Sequence, residues 1–204
     1  MKARGLLLTL FLLSFAAALS ATTNIALNKA VTTNGTFLSG PQNIVCPGTP
    51  AAASTVDNGS FYAEQTCWLD GVAWQGTDLT TDTPSIDISF GGAFTISSAI
   101  VQADDNDTYE LQYLGTDNAY HDWWAIPLDP SFGLVTRPSG NQVTQQPLPT
   151  VVATGVRIFA TSGDGDYSVG QVEVFGSPVG TPEPGSLMLL FGALPGLALL
   201  RRRK

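Results

Sequence analysis

Apolar and polar residues alternate with a period of two in four separate stretches, and that pattern admits little but β-structure. Ile86, Ile88 and Phe90 alternate with Asp87 and Ser89. Tyr109, Leu111 and Tyr113 alternate with Glu110 and Gln112, and Val156, Ile158 and Ala160 with Arg157 and Phe159. Val172 and Val174 alternate with Gln171, Glu173 and Phe175. Strand side chains point alternately to two faces, so each stretch reads as a strand with one buried face. Glycine- and Asx-rich clusters at 91–92, 104–107, 115–118 and 162–166 read as the turns between strands. Residues 22–178 show neither a capped 3.6-residue period nor an internal repeat. The body is therefore all-β, a sandwich or barrel. At 204 residues and 44% apolar, the chain suits one domain with a sizeable core.

Charge is distributed unevenly. The formal net charge is -8, but Lys2, Arg4, Arg201, Arg202, Arg203 and Lys204 lie at the extreme ends. Residues 22–182 hold only Lys29, Arg137 and Arg157 against 16 acids. Such an acidic body repels phosphate backbones, which excludes nucleic acid as a partner.

Both ends read as addresses. Residues 1–21 combine a basic start, an apolar run from Leu6 and small residues at Ala18, Ser20 and Ala21, the construction of a secretory signal peptide. Residues 179–204 run through Pro182-Glu183-Pro184 and an uncharged segment at 186–200 to the terminal cations. As a helix, the 186–200 segment measures roughly 22 Å, short of a roughly 30 Å hydrocarbon layer. Its terminal cations stay on the cytoplasmic side. The triplet, apolar stretch and Arg cluster in this order resemble the PEP-CTERM sorting signal of exopolysaccharide-producing Gram-negative bacteria. The resemblance implies export across the inner membrane, transient membrane contact through the tail and cleavage near the triplet by an exosortase.

Two cysteines, Cys46 and Cys67, enter an oxidising compartment on export, where an even count favours a disulfide. The closed loop of about 22 residues is worth on the order of 3 kcal/mol.

The order of fragments in the body carries a second resemblance. The chain opens with Asn24-Ile25-Ala26-Leu27-Asn28-Lys29-Ala30-Val31. It continues through Ala53-Ser54-Thr55-Val56-Asp57-Asn58-Gly59, Trp68 and Ser85-Ile86-Asp87-Ile88-Ser89-Phe90-Gly91. It closes with Thr154-Gly155-Val156-Arg157-Ile158 and Val169-Gly170-Gln171-Val172-Glu173-Val174-Phe175-Gly176. This resembles the discoidin family, the coagulation-factor type C or galactose-binding-like domains, over residues 24–176. The resemblance implies a jelly-roll β-sandwich with neighbouring termini and a ligand site in loops at one end. Family members mostly bind glycans, some lipids or proteins. It also implies a structural calcium between the Asp57 turn and the final strand, where Gln171 stands in place of a glutamate. Asp57, the Gln171 amide oxygen and backbone carbonyls would hold the ion, the other reading being a metal-free Asx turn. Arg157, on a strand among apolar neighbours, reads first as an ion-pair partner.

Asp104, Asp105, Asn106 and Asp107 crowd three carboxylates together. Their repulsion is tolerated in water or around a cation, so the turn reads as a solvated hairpin or as a calcium or sugar-hydroxyl site. Aromatic rings in loops can stack on a sugar. Trp74, in a glycine-flanked segment expected to be a loop, and Trp123 or Trp124, adjacent and so expected to face opposite ways, are the candidate platform, with Tyr120 and His121 beside them. The other reading packs these rings in the core, which is the expectation for Trp68. No nucleophile motif accompanies His121, and no carboxylate pair stands out among the acids, so the chain is expected not to be an enzyme. The expected role is non-catalytic binding of extracellular polysaccharide at the cell surface or in the matrix. The alternative is an acidic structural matrix protein acting through divalent cations, and a weak hydrolase is a third class.

Overall fold

The computed structural model describes residues 22–42, 46–76 and 83–180. The signal peptide at 1–21, the sorting triplet Pro182, Glu183 and Pro184, and the 186–200 segment lie outside the described residues. Among the described residues no helix is long and apolar enough to cross a membrane.

Nine strands occur among the described residues: β1 Thr23–Asn24, β2 Ala30–Asn34, β3 Val72–Gln75, β4 Ser85–Asp104, β5 Thr108–Gly115, β6 Tyr120–Ile126, β7 Leu134–Arg137, β8 Gln146–Ser162 and β9 Asp166–Pro178. They form an antiparallel jelly-roll sandwich. Hydrogen bonding runs in the order β1-β9-β4-β8-β5-β6, with β2 and β7 also on β4, and β3 on β9. Thr23 lies opposite Gly176 and Asn24 opposite Phe175, so the opening and closing segments are neighbours.

The alternating stretches are strands. Ile86, Ile88, Phe90, Tyr109, Leu111, Val156, Ile158, Ala160, Val172 and Val174 are all buried in one core. One expected turn is not a turn. The chain passes through Gly91-Gly92 as part of the 20-residue β4. Register breaks between Ser89 and Phe94, and Gly91 takes φ 76°. The missing Cβ lets the strand bulge and bend without ending. Both halves of β4 pair with β8; the first half also pairs with β2, and the second with β9 and β7.

The Gly71–Gly76 neighbourhood, expected as a loop, is strand β3, with Trp74 opposite Tyr167. Both faces of β3 are covered. Val72 and Trp74 enter the main core, while Ala73 joins a satellite cluster with Trp68 and Leu69, against which Leu38, Cys46 and Cys67 pack. The Cys46–Cys67 disulfide forms here, with its Cα atoms 6.1 Å apart. It staples an irregular segment over an edge strand that would otherwise expose its outer face.

Candidate functional site

The outward residues of β2, β4, β8, β5 and β6 line up across the sheet. Thr32 is opposite Asp87, Asp87 opposite Arg157, Arg157 opposite Gln112 and Gln112 opposite Asp122. The inward residues between them are apolar, so alternation forces this polar row onto the surface. In the next row Asn34, Ser85, Phe159 and Glu110 lie side by side.

The row is organised before any ligand arrives. Arg157 Nε donates to Asp87 Oδ1 at 2.6 Å and Nη2 to Asp87 Oδ2 at 2.7 Å. The Asp87 bonds raise the Arg157 pKa above its ordinary value. The guanidinium carbon lies 3.9 Å from the Tyr120 ring centroid. Burial, followed by the Asp87 charge, pushes the Tyr120 phenol up. Asn34 Nδ2 donates to Asp87 Oδ2 at 3.1 Å, and Gln112 Nε2 donates to Asp122 Oδ1 at 2.8 Å. Between these groups is a shallow cavity of about 290 Å³, lined by Thr83, Ser85, Gln112, Arg157 and Phe159. One half-buried aromatic ring with a hydroxyl, an amide and a guanidinium around it offers an apolar face together with donors and acceptors. That combination matches the two surfaces of a sugar ring.

Of the residues singled out from the sequence, Arg157 lines this groove, in the ion pair expected of it, and Tyr120 stacks on its guanidinium. Trp74 is fully buried, 5.3 Å from Phe37, 5.9 Å from Tyr167 and 6.2 Å from Tyr109 between ring centroids. Trp123 and Trp124 do not split between inside and outside: both are buried. The register shifts at this point, with Leu111 opposite Trp124 and Gln112 opposite Asp122. Trp123 is the extra residue of this bulge, which breaks strict alternation and turns both rings inward. Trp123 Nε1 donates to the Pro149 carbonyl at 2.9 Å. An exposed tryptophan platform is thereby corrected to core packing. His121 stacks on Tyr113 at 5.0 Å and holds Asp117 at 2.9 Å beside the β5–β6 turn. Phe159, Gln112, Ser85 and Thr83 were missed. For Phe159 and Gln112 the signal was present in the outward members of the same alternation that located the core.

The acidic turn is neither solvated nor a cation site. Asp104, Asp105 and Asp107 are buried and only Asn106 is exposed. Asp107 Oδ2 accepts from the Tyr109 hydroxyl at 3.1 Å, and Asp107 Oδ1 from the Asp164 N–H at 3.3 Å. Burial, then the Asp107 charge, pushes Asp104 up to about 8, and burial raises Asp107 to about 7. Both shifts favour the neutral acid, which carries no charge to repel its neighbours. Arg137, also buried, does not pair with these carboxyls. It donates to the carbonyls of Ala103, Val135, Asp104 and Asp105 at 2.6–3.0 Å and ties the turn's backbone to β7.

The calcium expectation is corrected at both places. Among the described residues no group of three or more His, Cys, Asp or Glu side chains is placed to hold a metal ion. Asp57 is buried with its Oδ2 taken by the Lys29 N–H at 2.6 Å. Its carboxyl is raised by burial, against the lowering effect of that bond. Gln171 turns donor hydrogens toward the oxygens a cation would need.

No protein-family model matches this chain, and no curated protein matches it. Solved structures do resemble it. The lectin domain of lectinolysin, solved with Lewis B antigen, superposes with a TM-score of 0.52 at 13% identity, covering 77% of this chain and 99% of that one. Chitosan-binding module 1 of a chitosanase/glucanase from Paenibacillus sp. IK-5 gives 0.48 at 18% identity, covering 76% and 99%. The family 32 carbohydrate-binding module of EndoD from Streptococcus pneumoniae gives 0.48 at 13% identity, covering 74% and 98%. The lectinolysin superposition shows that the chain has the all-β jelly-roll fold of a lectin domain.

Proposed function

We propose that residues 22–178 form a non-catalytic module that binds a neutral extracellular polysaccharide in the groove across β8 and β5. The observation that carries this reading is the preset polar row beside Phe159, with Arg157 already oriented by Asp87 and Tyr120. Ordered side chains lose little entropy on binding, which favours a weakly interacting ligand such as a sugar. The fold is shared with a domain solved in complex with a glycan antigen. A net charge of -8 disfavours a polyanionic polymer and favours an uncharged one.

The ends of the chain support a place for this activity. The N-terminal 21 residues direct export, and the Pro182-Glu183-Pro184 tail directs inner-membrane contact and exosortase cleavage. The mature protein then works at the cell surface or within secreted polysaccharide.

The test is calorimetric titration of the purified protein with dextran, galactan and the producing bacterium's own exopolysaccharide. Saturable binding to one of them, lost in Phe159→Ala and in Gln112→Ala without loss of fold, is the expected result. Burial of all four tryptophans favours a second reading, a structural matrix protein with no specific glycan ligand. Absence of binding to all three polymers selects it.

A further inference from the structure

The chain around Asp57 must be joined to the last strand, because the two meet in a buried place. Val172 N donates to the Val56 carbonyl at 2.7 Å, and Asn28 N to the Asp57 carbonyl at 2.9 Å. Between them lies Gln171, fully buried. Its amide is oriented by its partners. The nitrogen donates to the Thr55 carbonyl and to Asn58 Oδ1, both at 3.3 Å, and the oxygen accepts from the Gly59 N–H at 2.9 Å. Gly59 sits at φ 77°, which carries its N–H back toward the strand.

We infer that the Gln171 side-chain amide takes the place a bound cation would occupy, locking the 55–59 turn to β9 with hydrogen bonds alone. Two oxygens converge on one point, Thr55 O and Asn58 Oδ1. Converging oxygens in a buried site need either a cation or hydrogen-bond donors. An amide supplies two donors and an acceptor from one side chain, whereas a carboxylate supplies acceptors only. Glutamate has nearly the same shape as glutamine. Gln171→Glu therefore leaves the packing intact and removes the donors. The oxygens of residue 171 would then face two more oxygens in a turn that also carries the buried Asp57 carboxyl. A cation relieves that arrangement while both carboxylates stay charged, and without one a buried carboxyl must take up a proton at a cost in stability near neutral pH. The disagreement with the calcium site implied by the discoidin resemblance thus rests on one amide group. It makes this fold independent of divalent ions.

Thermal unfolding of the purified protein and of Gln171→Glu, each in EDTA and in 1 mM calcium chloride at pH 7, tests the inference. The natural protein is expected to show the same Tm in both buffers. Gln171→Glu is expected to unfold lower in EDTA and to recover by roughly 5–10 °C in calcium. Gln171→Met, which also loses the amide but supplies no oxygen, is expected to be destabilised equally in both buffers. A calcium-dependent rise in the natural protein overturns the inference. So does a Gln171→Glu variant that ignores calcium or fails to fold in either buffer. Folding of that variant in calcium alone supports it.

Discussion

Arg157 is held on two sides, by a bidentate pair with Asp87 at 2.6 and 2.7 Å and by the Tyr120 ring 3.9 Å from its guanidinium carbon. Asp87 comes from β4, Arg157 from the neighbouring β8 and Tyr120 from β6, on the far side of β5, so the arrangement spans four adjacent strands. Arg157→Lys keeps the charge but loses the planar fork and the stacking. Stability is expected to change by about 1 kcal/mol or less, since the pair is partly exposed to solvent. Polysaccharide affinity is expected to fall roughly tenfold, equivalent to about 1.4 kcal/mol. Urea unfolding and calorimetric titration of the same variant separate the two effects.

Trp74 belongs to the core and not to the ligand. Trp74→Ala is expected to cost about 3–5 kcal/mol, as for other buried large aromatics. Ligand binding is expected to survive in whatever fraction remains folded. All four tryptophans are buried, so their emission maximum is expected to stay put when the groove fills. A blue shift on adding polysaccharide would place a tryptophan in the site.

Stability is expected to fall as pH rises from about 4 to about 8. Asp104 and Asp107 have folded pKa values near 8 and 7, raised above the ordinary value of 3.8, with burial the largest cause. Between those limits the unfolded chain ionises them and the folded chain keeps them protonated. The folded state then binds more protons, so its advantage is complete below the ordinary value and is lost through the raised one. Asp57, Glu110 and Glu173 are raised mainly by burial and act in the same direction. Urea midpoints at pH 5 and pH 8.5 measure the slope, and Asp104→Asn is expected to flatten it.

Removing the disulfide is expected to weaken the satellite cluster and leave the groove intact. The double variant Cys46→Ser, Cys67→Ser is expected to lose about 3 kcal/mol, the chain-entropy value for a loop of this size. Titration of that variant is expected to give unchanged affinity, because the bridge packs with Trp68, Leu69 and Ala73 and not with Arg157 or Phe159. A large loss of affinity would show that the two regions are coupled.

Strands 86–90, 109–113, 156–160 and 172–175 were legible because alternation is local: within these stretches the polar residues between apolar ones turn away from the core. The Cys46–Cys67 bridge was legible from count and compartment, and the neighbouring termini from the discoidin resemblance. The candidate site was hardly legible. Asp87, Gln112 and Phe159 look like ordinary outward residues until register places them side by side. The acidic turn misled for a related reason. Three carboxylates suggest water or a cation, yet neighbouring segments cover them, and burial raises the pKa of Asp104 and of Asp107.

The sequence by itself determined that the body is all-β, which residues of each strand face the core, and that the surface is acidic. Those properties follow from side-chain polarity and from the two-residue repeat of a strand, both set within a few residues. Tertiary structure decided what lies beside what. One bulge at Trp123 turned two tryptophans inward, pairing with β9 buried Trp74, and cross-strand register assembled Arg157, Asp87 and Gln112 into a groove. Register depends on partners far along the chain, and a one-residue offset exchanges buried and exposed faces, so no local reading of the residues could settle which rings meet solvent.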